Sequence, residues 1–579
     1  MSATTESRHR GFQNADRAVD ARLVRLDERK RSWARLPIAD KVHYLRAVQQ
    51  LVLRHAERWV QAGAEAKELE PGSLLVGAEE WLGGPYAVVA WLAASIQTLQ
   101  ALDAGADPLA HVKTRTRPDG TVAARVLPVD VYEHLLFNGV QAEVWMQEGV
   151  TEENLRANTA ALYRQQSRDG TVGLVLGAGN VAAAVPLDIL DQMINRGRVV
   201  ICKMNPLNDY LGAIFEDVFA PLIHDGYLQI VYGGGNVGEY LTRHELVRAI
   251  HITGSANTYH TIVYGPGETG LRRRAAGEPV VDKPISAELG GVGATIVLPG
   301  EWSDADFAYQ AQHVATQKLH NAGHNCVATQ VVVLPAGWDG KPKFLAALER
   351  ALASSEPRKA YYPGTSERLR SLREADPGVR ALGEGRDRLI AIDAPAGADH
   401  AAFREELFGP ALVTTSLAGD AAEFLRAAVE FANHRLEGNL GVNLIVEPRT
   451  ARALGDELDR AVAGLRYGAV GINIWCGAAF LLARAAWGAY PGHDSAGTQS
   501  GSGFVHNALM FDKPQKTVAR APFRPFPRSL LHGEPALFPK PPWFLNNRTS
   551  ASTARRLTAF AANPTPLRLP GLFASALRG

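Results

Sequence analysis

The sequence predicts an α/β protein, and three observations carry that expectation. Between residues 171 and 253, short apolar runs alternate with segments of helical spacing, the pattern of a parallel sheet with crossover helices. A second alternation of the same kind runs from about 289 to 475. A chain of 579 residues is also too long for one core, so two or three domains are expected.

Taken in order, residues 1–70 read as helical and charged, with Val42, Leu45, Val48, Leu51 and Val52 at helical spacing. Residues 78–103 continue as a more apolar helix carrying Trp91, Leu92, Ile96 and Leu99. The runs His111–Thr116 and Thr121–Val129 flank the turn sequence Arg117-Pro118-Asp119-Gly120 and predict a hairpin. Strand Thr171–Leu176, helix Val185–Asn195, strand Val199–Cys202 and helix Leu211–His224 follow. Strand Gln229–Tyr232, a helix starting at Glu239–Arg243 and strand Ala249–Thr253 complete the first alternation. Parallel sheets bind ligands at the carboxyl ends of their strands. The loops after Leu176, Cys202, Tyr232 and Ile252 are therefore the ones to inspect. The segment Gly265–Lys283, with Arg272-Arg273-Arg274, reads as a long solvated loop or a grip for an anion.

Composition narrows the function classes. Hydrophobic residues at 46% and charged residues at 21% describe an ordinary globular protein, and a net charge of +1 argues against a nucleic-acid binder defined by overall charge. Three cysteines, Cys202, Cys326 and Cys476, are too few for a disulfide framework or a zinc cluster and point to a reducing compartment. The polar Met1–Arg10 shows no signal-peptide core, and no stretch reaches the roughly 18 uninterrupted apolar residues of a membrane helix. A cytoplasmic setting is the expectation. Residues 521–579 stand apart, with ten prolines, eight basic residues, one acidic residue and the aromatics Phe523, Phe526, Phe538, Trp543 and Phe544. They are expected to wrap over the protein's own surface without regular structure, a partner or membrane surface being the alternative.

The candidate chemistry centres on Glu288 and Cys326. Glu288 opens Glu288-Leu289-Gly290-Gly291 before the apolar run Ala294–Leu298, and Cys326 closes Asn321-Ala322-Gly323-His324-Asn325-Cys326 before another. A carboxylate and a thiol beside strand-like segments suggest a base and a nucleophile meeting in one cleft. Their bland reading is a buried cysteine and a surface glutamate. Cys202 lies inside an apolar run, and Cys476 follows Trp475 outside any reactive motif. A weaker signal is Gly177-Ala178-Gly179-Asn180-Val181-Ala182, which fits a dinucleotide fingerprint. However, the position that should carry an acidic residue is Lys203.

In order, several segments resemble those of the aldehyde dehydrogenase superfamily. They are Gly179-Asn180 with Pro186, Lys203-Met204-Asn205-Pro206, Ile252-Thr253-Gly254-Ser255, Glu288-Leu289-Gly290-Gly291, Gly323-His324-Asn325-Cys326 and Glu405-Glu406-Leu407-Phe408-Gly409-Pro410. Ser500-Gly501-Ser502-Gly503 and Lys516-Thr517-Val518 resemble the family's closing segment, so the likeness covers roughly 30–520. It implies a Rossmann-type cofactor domain, an α/β catalytic domain and a small oligomerisation hairpin. The implied boundaries are 1–110 with 171–288 for cofactor binding, 111–170 for hairpin and connector, 289–475 for catalysis, 476–520 for closing and 521–579 for the extension. It also implies Cys326 as nucleophile, Glu288 as water-activating base and Asn180 as oxyanion donor. NAD or NADP would then be held by Lys203, Asn205, Gly254, Ser255, Leu289, Glu406 and Phe408, with no metal. The resemblance implies oxidation of an aldehyde to a carboxylic acid by a homodimer or homotetramer. The apolar stretch Ala478–Trp487, interrupted only by Arg484, lies where the resemblance implies a substrate entrance and would favour a hydrophobic aldehyde, an ordinary core segment being the alternative. Departures are His324 for the usual Gln, Pro206 where many NAD-preferring members carry a glutamate, Gly179 for an aromatic and Tyr259 for a glycine. His324 is expected either to assist thiolate formation or to shape its loop. The rivals are a CoA-acylating relative, against which Glu288 argues, and a non-catalytic relative used for binding or assembly.

Overall fold

A computed structural model of the chain describes residues 3–165, 169–493 and 495–579; Met1 and Ser2 of the first helical segment lie outside the described residues. Two sheets organise it. The smaller has the spatial order Gly501–Ser502, Ile285–Leu289, Val247–Gly254, Val172–Leu176, Val199–Lys203, Leu228–Val231. The last five strands are parallel, and Gly501–Ser502 caps the edge antiparallel. The three strands Val172–Leu176, Val199–Lys203 and Leu228–Val231 are buried along their whole length, as a parallel sheet covered on both faces requires. The strand order reverses between Val172–Leu176 and Val247–Gly254, so a crevice opens where the loops after Leu176 and Gly254 diverge.

The larger sheet has eleven strands, with Gly293–Val297 between Thr329–Pro335 and Gly441–Ile445. The chain steps from the small sheet to the large one across Gly290-Gly291-Val292, only three residues after Leu289. The absence of a side chain at Gly290 makes room for the Glu406 carboxylate, one oxygen of which would stand 2.1 Å from a Cβ there. The hairpin residues Thr114–Thr116 and Val122–Leu127 pair antiparallel at one edge of this sheet and join Gln141–Met146. They continue the large sheet rather than standing apart from it.

Several elements differ from the sequence expectation. Val76–Asp103 is a mostly buried helical element, as its apolar residues lead one to expect, with 72% of its apolar window buried, but its first part, Val76–Tyr86, is a wider π-type helix kinked by non-helical dihedrals at Gly84 before Ala87–Asp103 continues. Helix Ala184–Leu190 widens into a π-turn over Asp191–Asn195, and the 211–224 helix breaks at Phe219. The supposed loop after Gly265 contains helix Gly267–Ala276. Gly277 closes it in the left-handed conformation, and Arg273 and Arg274 sit in the last turn, where cations complement the helix dipole.

The extension docks on the protein, as expected, but with regular structure: helices Arg528–Leu531, Ser550–Ala562 and Leu569–Ala576. Arg524 makes a buried bidentate pair with Asp306 at 2.9 and 3.0 Å, and Phe544 stacks on Tyr309 with ring centroids 5.2 Å apart. Helix Ser550–Ala562 lies so close to Val76–Tyr86 that a Cβ on Gly77 would fall 2.0 Å from the Ala551 amide. Missing this order has a plain cause. The helices bury few residues each, so their apolar spacing is weak in the sequence while the docking contacts come from residues hundreds of positions away.

Candidate active site

Strand Ile285–Leu289 delivers Glu288 between Thr253 on one neighbour and Gly501 on the other. Cys326 arrives from the opposite side, at the end of helix Asp304–Leu319 and a tight turn over His320–Gly323. That turn holds Asn321 at φ 57° and Ala322 at φ 54°, an unfavourable conformation for side-chain-bearing residues that surrounding contacts must enforce. The Asn321 N–H donates to Glu79 Oε1 at 2.8 Å, and Asn321 Nδ2 donates to the carbonyls of Asn180 and His324, each at 3.1 Å. Arg358 in turn grips both Glu79 oxygens at 2.7 and 2.6 Å in a buried pair.

The two reactive side chains meet. The Cys326 thiol donates to Glu288 Oε1 at 3.2 Å. Burial, and then the repulsion of Asp188, pushes Glu288 up to about 7. Burial and the Glu288 carboxylate push the Cys326 thiol well above its ordinary value, so the proton rests on sulfur with Glu288 ready to take it. Behind Glu288 lies a buried polar group: Thr253 Oγ1 donates to Asp188 at 2.8 Å, and His251 stands 3.2 Å from the same carboxylate. The other ring nitrogen of His251 lies 2.9 Å from Ser286 Oγ. Burial alone would lower His251, but the carboxylates of Asp188, Asp191 and Glu288 together outweigh it and raise the imidazole.

Asn180 lines the same cavity of about 230 Å³ as Cys326 and Glu288. Its Nδ2 donates one hydrogen to the His324 carbonyl at 2.9 Å, which leaves the second amide hydrogen unspent. The Cys326 N–H has no hydrogen-bond partner among the described residues. Two donors of residues that line this cavity are therefore free to meet a ligand. Gly254, Ser255, Glu406 and Phe408 also line the cavity. Arg368 braces the Glu406 segment, its Nε donating to the Leu407 carbonyl at 2.7 Å, while Phe408 is held at φ 37°. Burial holds Glu406 up and Lys318 down.

The remaining sequence candidates lie away from the cavity. Lys203 ends its strand beside Leu176, only 8% exposed, with burial lowering its pKa and no carboxylate paired to it among the described residues. Asn205 packs against Gly179 and accepts from the Leu207 N–H at 3.0 Å. The Leu289 side chain is fully buried in the core, so any contact with a ligand would pass through its backbone. His324 is fully buried among Tyr361, Tyr362 and Phe408, its Nε2 lies 3.1 Å from Thr365 Oγ1, and burial lowers it to about 3. A neutral, enclosed imidazole fits the expectation that His324 shapes its loop. Cys202 and Cys476 are core residues.

Some participants were missed in the sequence, although they left a signal. His251 and Thr253 are polar residues two apart on an otherwise apolar strand and so share a face. Asp188 and the pair Glu79-Glu80 are carboxylates in apolar helical segments. Gly233-Gly234-Gly235, exposed at the start of helix Gly235–Arg243, lies at the carboxyl end of the Leu228–Val231 strand.

A dinucleotide suits these groups. Lys203 ends one parallel strand and the loops carrying Gly179, Gly233–Gly235 and Ser255 follow the carboxyl ends of others; the Lys203 ammonium, with no carboxylate paired to it among the described residues, would complement ribose or phosphate oxygens, and Glu406 would accept from ribose hydroxyls.

Comparisons with known proteins agree with this arrangement. Residues 97–360 match the aldehyde dehydrogenase family. The chain is 28% identical over 290 residues to the NADP/NAD-dependent aldehyde dehydrogenase PuuC of Escherichia coli, covering 43% of this chain and 55% of that one. It is 25% identical over 264 residues to a coniferyl aldehyde dehydrogenase of a Pseudomonas strain, covering 42% and 51%. These matches span about half the length of either relative. Solved structures extend the likeness in fold to most of the chain. Lactaldehyde dehydrogenase from Escherichia coli superposes with a TM-score of 0.55 at 16% identity, covering 88% of this chain and 91% of that one. A mutant aldehyde dehydrogenase C of Pseudomonas syringae, solved with NAD+ and octanal, gives 0.54 at 16% identity, covering 88% and 90%.

Proposed function

The chain belongs to the aldehyde dehydrogenase superfamily, and on that premise we propose that it oxidises a hydrophobic aldehyde to a carboxylic acid with NAD or NADP. The observation that carries this reading is the 3.2 Å contact between the Cys326 sulfur and Glu288 in a cavity that also holds the Asn180 amide. As sulfur attacks the aldehyde carbon, Glu288 takes the thiol proton. Negative charge gathers on the former carbonyl oxygen, where the Asn180 amide and the Cys326 N–H donate. Gly254, Ser255, Glu406 and Phe408, with Lys203, Asn205 and the Leu289 backbone, would hold NAD or NADP, which would supply the acceptor for the hydride that leaves the former aldehyde carbon. The acyl group then remains on Cys326 as a thioester. Glu288, having passed its proton to solvent, removes a proton from the water that hydrolyses it, and a pKa of about 7 suits that exchange at neutral pH.

The fully exposed edge strand Thr114–Thr116 supports self-association into a homodimer or homotetramer. The three free cysteines fit a reducing, cytoplasmic setting. The test is product analysis with NAD and NADP in parallel, with and without CoA. The expected product is the free acid whether or not CoA is present; a product that forms only as an acyl-CoA would refute Glu288 as the hydrolytic base.

A further inference from the structure

A second cavity, of about 80 Å³, abuts the catalytic one, and the two share the wall residues Leu82, Leu481 and Trp543. The catalytic cavity is polar around Glu288 and Glu406 and apolar on the side facing this wall. The second has no charged side chain in its lining, and its polar side-chain groups are the Tyr86 and Thr553 hydroxyls and the Trp543 indole N–H. The Thr553 hydroxyl is occupied, 2.8 Å from Ser575 Oγ. Much of the second cavity is built by the C-terminal extension, through Leu557, Phe573 and Ala576 in addition to Trp543.

From this adjacency we infer that the extension completes a binding site for the tail of the substrate, and that the tail is an unbranched alkyl chain of medium length or longer. The inference rests on the reading of Cys326 and Glu288 as the reacting pair. A carbonyl held at Cys326 directs its substituent either to the polar side or to the shared wall. A charged or polyhydroxylated tail entering the second cavity would lose its hydration and find only the Tyr86 hydroxyl and the Trp543 indole N–H to replace it. An alkyl chain loses nothing and buries surface with each methylene. Only Leu82, Leu481 and Trp543 are common to the two walls, and a flexible chain one carbon wide would displace these side chains less than a fused ring would.

The test compares propanal, hexanal and decanal on the full chain, together with binding of decanol, which has no reactive carbonyl, followed by melting temperature without cofactor. In the wild type, kcat/KM is expected to rise about fourfold per methylene until the second cavity is full, and decanol is expected to raise the melting temperature. Ala576→Trp, which fills the cavity from a half-buried helix position, should remove the decanol shift and cut decanal turnover at least about tenfold while leaving propanal unchanged. Leu557→Trp fills the same space from another helix and serves if Ala576→Trp does not fold. Equal kcat/KM for the three aldehydes, or equal losses for all three in the filled variants, would overturn the inference while leaving the Cys326–Glu288 reading intact. A decanol shift that the filled variants abolish, in a protein that oxidises no aldehyde, would instead uphold the alkyl site and sink that reading.

Discussion

The two walls of the catalytic cavity were built in different ways. The polar wall comes from short motifs at strand ends: Glu288, Asn180, Gly254-Ser255 and the Cys326 turn. The apolar wall comes partly from Val76–Tyr86 and partly from Trp543, more than 450 residues further along the chain. Chemistry needs particular atoms in fixed geometry, so it concentrates in local sequence patterns. A hydrophobic wall needs only apolar area, which any docked segment can supply. The first kind of site is legible in a sequence, whereas the second becomes visible only in the fold.

The comparison can be broken at the polar wall first. Replacing Glu288 by Gln should lower kcat by roughly 10²–10⁴ and abolish the rise of activity with pH centred near 7. The same change bears on stability. The folded-state pKa of Glu288 lies above its ordinary value of 4.5, so the stabilising contribution of its neutral form is present in acid and lost as pH climbs through 7. By about pH 8 the Gln variant should be more stable than the wild type by roughly 3 kcal/mol, with little difference near pH 4. Melting curves at the two pH values check it. A wild type that gains stability relative to the variant as pH rises would contradict the buried-carboxyl account.

Asn180→Ala removes one of the two proposed oxyanion donors and should cost about 10²-fold in kcat with a smaller change in KM. Steady-state kinetics distinguish this from the alternative in which Asn180 only holds the His324 carbonyl, since that role predicts unfolding or weaker thiol reactivity instead. The smallest effect is expected from His324→Gln. The pH profile of Cys326 alkylation should be unchanged, with a stability loss of about 1 kcal/mol from lost ring contacts to Tyr361, Tyr362 and Phe408. A shifted alkylation profile would mean that the imidazole does act on the thiol.

The parallel strands of the small sheet were legible because a fully covered sheet writes itself as apolar runs between helical segments, as in Val172–Leu176 and Val199–Lys203. The pair Glu288 and Cys326 was legible for the reason given above. The support behind it was harder to see. Asp188 and His251 lie 63 positions apart and meet only because helix Ala184–Leu190 lies over the strand carrying His251. Glu79 reaches the cysteine turn from a helix whose apolar neighbours gave it the look of an ordinary core segment. The extension was hidden by its prolines, which mark breaks in structure without revealing the helices between them.

The most direct test of the central claim is the mass of the intact Glu288→Gln protein after incubation with decanal and NAD. The account predicts one acyl group retained on the chain, mapped to Cys326 and absent when Cys326 is also replaced by Ser. An unmodified chain in a variant that still consumes aldehyde, or an acyl group on any other residue, would contradict it.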